Sequence, residues 1–436
     1  MHWLKSGLTI PALAVLALGL SSGASISAQE TASAAEEATE ETTESSTEES
    51  VPTISLGPDD VSTRIESDSP PDELDYDLVG TDKFFEPWSN WKGALAEEEL
   101  FRLGLDYQPL MQSSDNSEGE DSASGGIFRV FSSWDIWGTD NPSRTGTLDV
   151  RLEHRHKIGS DVAPEDLAPG FGYLGTTAPD WTDQGLGVTN LMIRQRLDVG
   201  KAPIELRVGY MSAFAQFDIT MFSDNLTTFQ NNSLILSPTI AYPSAGSFGV
   251  AGYVGIPDSK FYVLGMVMDA NGEYDSLSFD TVGDGEYFSA LEFGWSEMDL
   301  AAGSGYVLNN FHIGAWHSDK RGKGAQATGS YFFQDSRFGV FGRIAWASEG
   351  ASTIYKDYAA VGGTMGFFRD SMLGVGISTG KPQGLNNNQV ATEIFYRWQL
   401  SQYLALTPSV QFLKDPAVNT QDSSVTVLSL RFRISL

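Results

Sequence analysis

The feature that most constrains this chain is the strict alternation of apolar and polar residues near its end, from 391 to 436. In the first run of this region, Ile394 and Trp398 share one face of an extended strand. Glu393 and Arg397 share the opposite face, and two further runs alternate in the same way. This alternation predicts β-strands with one apolar and one polar face.

The length of these strands favours a membrane over a soluble β-sandwich. Each run extends over about ten residues or more, which exceeds the usual five or six of soluble proteins and matches a tilted bilayer crossing. After the first 20 residues no apolar run is long enough for a transmembrane helix, and the mean hydropathy is −0.18. A closed barrel is the other way to span a bilayer. The sequence therefore predicts an all-β fold, a transmembrane antiparallel β-barrel with its apolar face outward.

The first 28 residues have the pattern of a cleaved secretory signal peptide. Lys5 supplies a positive charge, 8–20 form an apolar core, and 26–28 provide small residues for cleavage. A signal peptide over 1–28 and a barrel after it together predict a location in the bacterial outer membrane.

Residues 29–83 are predicted to form a disordered acidic linker. Positions 29–77 contain 16 Asp and Glu and one Arg, so this part carries half of the net charge of −30. Large apolar residues are too few to offset the entropy cost of folding. The linker is either a solvated spacer or an acidic tether that binds cations or a basic partner. So acidic a chain is a poor partner for nucleic acid.

A short amphipathic helix is predicted at the start of the outer-membrane barrel domain, which covers 84–436. Trp88, Trp91 and Leu95 recur there at near-helical spacing. The helix could plug or line the pore, or it could pack on the periplasmic end of the barrel.

From Phe101 onward the sequence contains about sixteen alternating runs, and their connections alternate between short and long. Short turns facing the periplasm and long loops facing outward give this rhythm. The segments 157–187, 212–246 and 318–327 are predicted to be long loops. The segment 296–308 is an exception, because it is long where a short turn is expected.

The loop at 212–246 is too apolar for an ordinary exposed loop. It could fold inward and narrow the channel, or pack over the channel as a lid. Four of its residues are candidates for a constriction: Phe217, Asp218, Phe222 and Phe229.

The polar faces of the strands supply the candidate solute path. Arginine and carboxylate groups can donate to and accept from sugar hydroxyls, and rings of charge set pore selectivity. Alternatively, the same charges form salt-bridged ladders that only brace the wall. Strand parity predicts these lumen residues: Arg129, Asp135, Asp149, Arg151, Glu153, Arg155, Arg194, Arg196, Glu205, Arg207, Arg343, Glu393, Arg397, Arg431 and Arg433.

The sequence predicts no catalytic site, metal site or cofactor. His154 and His156 share one face of a strand and could hold a metal, but no third ligand is evident and interfacial packing is the alternative. No nucleophile arrangement stands out among the five histidines, and there are no cysteines.

Three blocks of the chain resemble the carbohydrate-selective porins of the OprB type. The first is TGTLDVRLEHRHKIG at 145–159, and the second is the central block at 194–232 with SPTIAYP at 237–243. The third and most specific is ATEIFYRWQLSQYLALTPSVQFLKDP at 391–416, followed by the closing LSLRFRI at 428–434.

This resemblance implies an outer-membrane barrel of about sixteen strands through which mono- or small oligosaccharides diffuse passively, with no cofactor and no enzyme activity. Its partners would be the sugars, outer-membrane lipid and lipopolysaccharide, and the barrel could be a monomer or a homo-oligomer. Two alternatives stay open: a general diffusion channel for small solutes, and a structural barrel tethered by its acidic tail.

Overall fold

Sixteen strands of the described chain close into one antiparallel β-barrel, in which each strand pairs with its neighbours in the sequence. The computed structural model describes residues 57–67, 80–141, 144–243, 246–277, 281–301, 305–333, 336–366 and 370–436. The predicted signal peptide and the linker positions 29–56 and 68–79 lie outside the described residues.

The strands contain nine to sixteen residues, a range that suits tilted bilayer crossings. They are β1 Phe101–Ser114, β2 Ser122–Trp137, β3 Gly146–Lys157, β4 Gly185–Val199, β5 Ala202–Met211, β6 Ser247–Gly255, β7 Phe261–Asp269, β8 Tyr287–Ala301, β9 Gly305–Ser318, β10 Gly322–Phe333, β11 Phe338–Ala347, β12 Tyr355–Gly366, β13 Met372–Pro382, β14 Gln389–Gln399, β15 Leu404–Lys414 and β16 Ser424–Ser435. Four helices accompany them in the described chain: α1 Val61–Ser67, α2 Asp82–Glu98, α3 Pro164–Gly170 and α4 Asn232–Ile235.

The barrel closes because its last strand pairs with its first. The Leu105 amide donates to the Leu436 carbonyl (2.8 Å), and the Leu436 amide donates to the Leu105 carbonyl (2.7 Å). The pairing continues to Ser114, which lies opposite Val427. A closed sheet pairs the backbone groups that an open edge would leave unsatisfied in lipid. The predicted fold class is therefore confirmed.

Two of the predicted connections have the wrong length. Only positions 302–304 separate β8 from β9, so the segment 296–308 is mostly strand. Only 319–321 separate β9 from β10, so 318–327 is not a long loop. In β10 small residues replace large apolar ones, and they hide the alternation that marks a strand in the sequence. Both changes lengthen strands that were already counted, so the prediction of sixteen is unaffected.

The outer and inner faces of the barrel differ as strand alternation requires. Outward side chains are apolar and exposed, as for Ile344 (63%) and Leu291 (62%). Inward side chains are largely polar and buried, as for Glu205 and Arg207 (both 0%). This is the surface of a barrel that faces lipid outside and polar groups inside. Among the described residues, no helix is both long enough and apolar enough to cross a membrane.

Residues 57–67, which we call the lumen segment, are ordered, so the prediction of a disordered linker is wrong for this part of 29–83. They lie inside the barrel, where α1 contacts β1, β2, β3 and β9. Val61 and Arg64 are 0% and 2% exposed. From composition alone this segment is predicted to be disordered, because the groups that pair with its charges lie far away in the sequence.

The helix α2 lies at the short-turn end of the barrel. Its Phe85 ring packs against the Tyr403 ring in the turn before β15, with centroids 4.7 Å apart. Most side chains of α2 are exposed or half-buried, and the helix contacts β1. Of the predicted alternatives, packing on the barrel end is the one that is observed.

Candidate functional site

Arginines and carboxylates alternate along the lumen face of β1 to β5. We call this set the charge ladder, and its members are Asp106, Arg129, Asp149, Arg151, Glu153, Arg155, Arg194, Glu205 and Arg207. Every second residue of a strand points to the same face, so polar positions of adjacent strands come side by side. Arg129, for example, lies opposite Asp106 of β1 and Glu153 of β3.

The members of the charge ladder are paired at short distances. Arg129 Nη2 lies 2.6 Å from Asp106 Oδ2. Glu153 accepts from Arg155 (2.6 Å) and forms an ion pair with Arg151 (3.1 Å). The other pairs are Arg194 with Asp149 (3.0 Å) and Arg207 with Glu205 (2.7 Å). Charge-assisted hydrogen bonds of this kind fix the orientation of planar groups, so the wall presents donors and acceptors at defined positions.

The loop at 212–246 folds into the lumen and is not a lid. Arg343 of β11 holds its middle, because the guanidinium donates to the Leu234 carbonyl (2.8 Å) and to the Ser223 hydroxyl (2.7 Å). The Arg343 side chain is 1% exposed. A buried arginine that donates to loop oxygens fastens the loop to the wall.

Two further strand residues hold the same loop from β14 and β16. The Glu393 carboxylate accepts from the backbone amides of Gln230 (2.9 Å) and Asn231 (2.8 Å). Arg431 donates to the Thr228 carbonyl (3.0 Å). The loop is therefore bound to β11, β14 and β16, and Gln216 near its start accepts from Arg207 of the charge ladder.

Aromatic packing completes the attachment of this loop. Phe222 and Phe229 both pack against the Phe341 ring of β11, with centroids 5.0 and 5.6 Å apart. Phe229 also meets Phe395 of β14 edge-on at 5.0 Å. These rings form a buried hydrophobic cluster inside the barrel, which explains why an apolar loop is stable in a polar lumen.

Asp218 in the same loop is an anchor and has a left-handed backbone (φ 62°), a conformation that Asp tolerates better than most residues. Its carboxylate accepts from the hydroxyls of Ser237 and Thr328, each at 2.5 Å. The His312 ring of β9 lies 3.4 Å from Asp218 and 3.6 Å from Glu292. This network ties the loop to β8, β9 and β10.

A cavity of about 750 Å³ lies at the long-loop end of the charge ladder, and we call it the vestibule. Asp59 of the lumen segment, Arg129, Arg151, Arg155, Phe214 and Tyr274 are among its lining residues. The Tyr274 ring lies 4.9 Å from the Arg155 guanidinium, and its hydroxyl donates to the Glu153 carbonyl (3.0 Å). Ligand pockets usually have volumes of about 300–1,000 Å³, so the vestibule can hold a small polar solute.

Two carboxyl groups of the loop between β3 and β4 also line the vestibule. Burial raises the pKa of Glu165 to about 7, and the neighbouring Asp180 carboxylate contributes to the rise. Burial likewise raises the pKa of Asp180, against the opposing effect of Arg155. The vestibule therefore gains negative charge as pH rises through about 7.

The fifteen strand residues predicted to face the lumen all lie on the inner face of the barrel, and Asp135, Arg155, Arg196 and Arg433 among them are partly exposed. The four loop candidates, Phe217, Asp218, Phe222 and Phe229, are buried inside it. That these residues form a solute path stays a prediction.

Sequence reasoning missed several charged groups of the lumen, among them Asp106, Glu292, Asp59 and Asp60. Asp106 and Glu292 lie on inward faces that strand parity identifies, so the same rule could have found them. Asp59 and Asp60 carry no such signal, because no periodic pattern surrounds them in the sequence.

His154 and His156 contact each other on the outer face of β3, with their Nδ1 atoms 3.3 Å apart. The Tyr107 hydroxyl lies 3.2 Å from His156 Nε2, and the two rings stack. Within the described residues no group of three or more His, Asp or Glu side chains could hold a metal ion.

A closed antiparallel barrel of sixteen strands with a long loop folded into its lumen is the architecture of the porin class. Residues 333–436, which include β11 to β16, match the family model described as carbohydrate-selective porin, OprB family. A search of the curated proteins finds no match to the chain.

One solved porin structure supports this fold. The high-pH structure of Pseudomonas putida OprB is 12% identical, with 84% of this chain and 99% of that chain covered and a TM-score of 0.62. A triple mutant of the Rhodopseudomonas blastica porin is 13% identical, with 77% and 100% covered and a TM-score of 0.49. The chain therefore has the fold of a porin barrel, and the match over its last six strands confirms its resemblance to the OprB family.

Proposed function

We propose that this porin lets neutral sugars, mono- and small oligosaccharides, diffuse passively across the outer membrane. The vestibule carries the proposal, because it combines fixed arginine and carboxylate groups with aromatic rings around a volume of about 750 Å³. The match of 333–436 to a carbohydrate-selective porin family supports the same solute class.

The chemistry of the vestibule suits a sugar better than an apolar or strongly charged solute. Arg151 and Arg155 can donate to ring hydroxyls, and carboxylates such as Asp180 can accept from them. Phe214 and Tyr274 line the vestibule, where an aromatic ring can contact the apolar side of a pyranose ring. Since both signs of charge line the path, a neutral solute gains hydrogen bonds without strong repulsion.

The orientation of the barrel in the membrane follows from the lengths of its connections. Short turns face the periplasm and long loops face outward in barrels of this kind, so the vestibule opens to the outside. Exposed aromatic side chains such as Trp134, Phe261, Phe338 and Trp398 suit the membrane interface, where outer-membrane lipid and lipopolysaccharide would contact the barrel. Passive diffusion requires neither a cofactor nor a catalytic group.

Swelling of liposomes that contain the refolded full-length protein tests this proposal. We expect a monosaccharide to enter faster than an uncharged amino acid of similar size, and a disaccharide to enter more slowly than the monosaccharide. Entry ranked by size alone would identify a general diffusion channel instead. No entry of any solute would exclude a passive channel and favour a structural role.

A further inference from the structure

The lumen segment crosses the interior of the barrel between opposite walls. Its helix α1 contacts β1 to β3 on one side and β9 on the other, and these lie half a barrel apart in the strand order. A Cβ on Gly57 would come within 2.9 Å of Ile219 in the inward loop. The segment therefore lies between the charge ladder and the inward-folded loop.

Two aspartates of the lumen segment pair with the charge ladder. Asp59 Oδ2 lies 2.7 Å from Arg151 Nη1, and Asp59 Oδ1 lies 3.6 Å from Arg129. Asp60 Oδ2 lies 3.0 Å from Arg207 Nη1, and both side chains are 0% exposed. Each of these arginines also pairs with a strand carboxylate, so the segment supplies a second acidic partner to three members of the ladder.

Arg64 gives the lumen segment a positive group, which pairs with a carboxylate of the inward loop. Its Nη2 atom lies 2.8 Å from Asp224 of the inward loop, and the two side chains are 2% and 4% exposed. The segment therefore joins the two sides of the lumen by ion pairs of opposite polarity. Buried ion pairs of this kind are costly to break, which favours a segment that stays in place.

The charges of the lumen segment balance those of the ladder. The ladder has five arginines and four carboxylates. Addition of Asp59, Asp60 and Arg64 gives six of each sign. Without the two aspartates the same set would carry an excess of two positive charges.

We propose that the lumen segment is a resident lining of the channel, and that Asp59 and Asp60 determine its charge selectivity by neutralising the arginines of the ladder. A neutral lining would suit the passage of uncharged solutes, and a positive one would favour anions. Asp59 also borders the vestibule, so it lies on the path that a solute would take.

Reversal potentials in a KCl gradient across planar bilayers test this proposal, and they do so independently of whether sugars are the solutes. The double variant D59N/D60N should shift the Cl⁻ to K⁺ permeability ratio toward anions by roughly twofold or more. The variant R64Q should shift it in the opposite direction. A matched control, D258N, removes an aspartate from an exposed pair at a short turn and should leave the ratio unchanged.

The opposite signs separate a direct charge effect from a loss of structure. If both variants only displaced the lumen segment, both would shift the ratio in the same direction, toward anions. That outcome, or an unchanged ratio in D59N/D60N, would overturn the proposal. Heat-modifiable migration on gels establishes that each variant has a folded barrel before it is measured.

A disulfide tests whether the lumen segment stays inside the barrel while the channel conducts. A Cβ on Gly104 of β1 would lie 3.5 Å from Ile65 Cγ1, so side chains at these two positions are in direct contact. The chain has no other cysteine, so I65C/G104C can form only this bond. We expect the oxidised double variant to conduct as well as the reduced one. Conduction only after reduction would show that the segment must leave the lumen, and would overturn the proposal.

Discussion

The two sides of the lumen carry similar side chains with different roles. On the side of β1 to β5, Arg151 and Arg155 pair with carboxylates and border the vestibule. On the side of β9 to β16, Arg343 and Arg431 donate to backbone carbonyls of the loop at 212–246. Inward arginines therefore do not define a solute path by themselves. What they bind decides whether they contact a solute or hold a loop.

Among the variants considered, the largest change in solute passage is expected from one that loosens the loop at 212–246. R343M removes hydrogen bonds to Leu234, Thr220 and Ser223, and hydrogen bonds to a charged group contribute about 1.5–3 kcal/mol each. We expect the part of the loop that Arg343 holds to move away from the wall, and the channel to admit a trisaccharide that the unmodified protein excludes, as measured by liposome swelling. A size limit that stays unchanged in R343M would mean that the loop does not form the constriction.

A smaller change, in the rate of sugar entry and not in the size limit, is expected from a variant of the charge ladder. R155M removes a donor that borders the vestibule but has no described contact with the loop at 212–246. Monosaccharide entry should fall by roughly two- to fivefold, since a solute in passage exchanges hydrogen bonds with water for those with Arg155 and the net gain is small. The size limit should stay the same, and a trisaccharide entering R155M would contradict the division of roles between the two sides.

The charge of the vestibule should depend on pH through Glu165. Because its pKa is raised to about 7, this carboxyl is mostly neutral at pH 6 and mostly ionised at pH 8. Cation preference, measured from reversal potentials, should increase over this interval. E165Q should remove this increase, while D183N, which neutralises an exposed carboxylate of the same loop, should retain it.

The smallest change in sugar entry and in stability is expected from a substitution outside the lumen. Lys201 and Asp258 form an exposed pair between two short turns, and each side chain is 74% exposed. K201Q should change the free energy of unfolding by less than about 0.5 kcal/mol and should leave sugar entry unchanged. A marked loss of sugar entry in K201Q would show that swelling rates report general damage and not the solute path.

Strand parity predicted the inner faces of the barrel because alternation is a local property of the sequence. Arg129, Glu205 and Arg431 could thus be placed in the lumen without knowledge of their partners. The connection after β9 was wrong because the small residues of β10 carry no clear alternation. The one before β9 was wrong because the small residues at 301–305 interrupt the alternation.

The contents of the lumen could not be predicted in the same way. The sequence left open whether the loop at 212–246 folds inward, because its anchors Arg343 and Glu393 are more than 100 positions further along the chain. The lumen segment was predicted as linker for the same reason. Asp60 is stabilised by Arg207, which lies 147 positions away.

Block of the single-channel KCl current by a neutral monosaccharide most directly tests the claim that solutes pass along the ladder side. Sugar added to the long-loop side should reduce the current of the unmodified channel in a concentration-dependent manner. The variant Y274A, which removes the aromatic face of the vestibule, should lose most of this block, and K201Q should keep it. Equal block in Y274A and the unmodified channel, or no block in either, would contradict a sugar path through the vestibule.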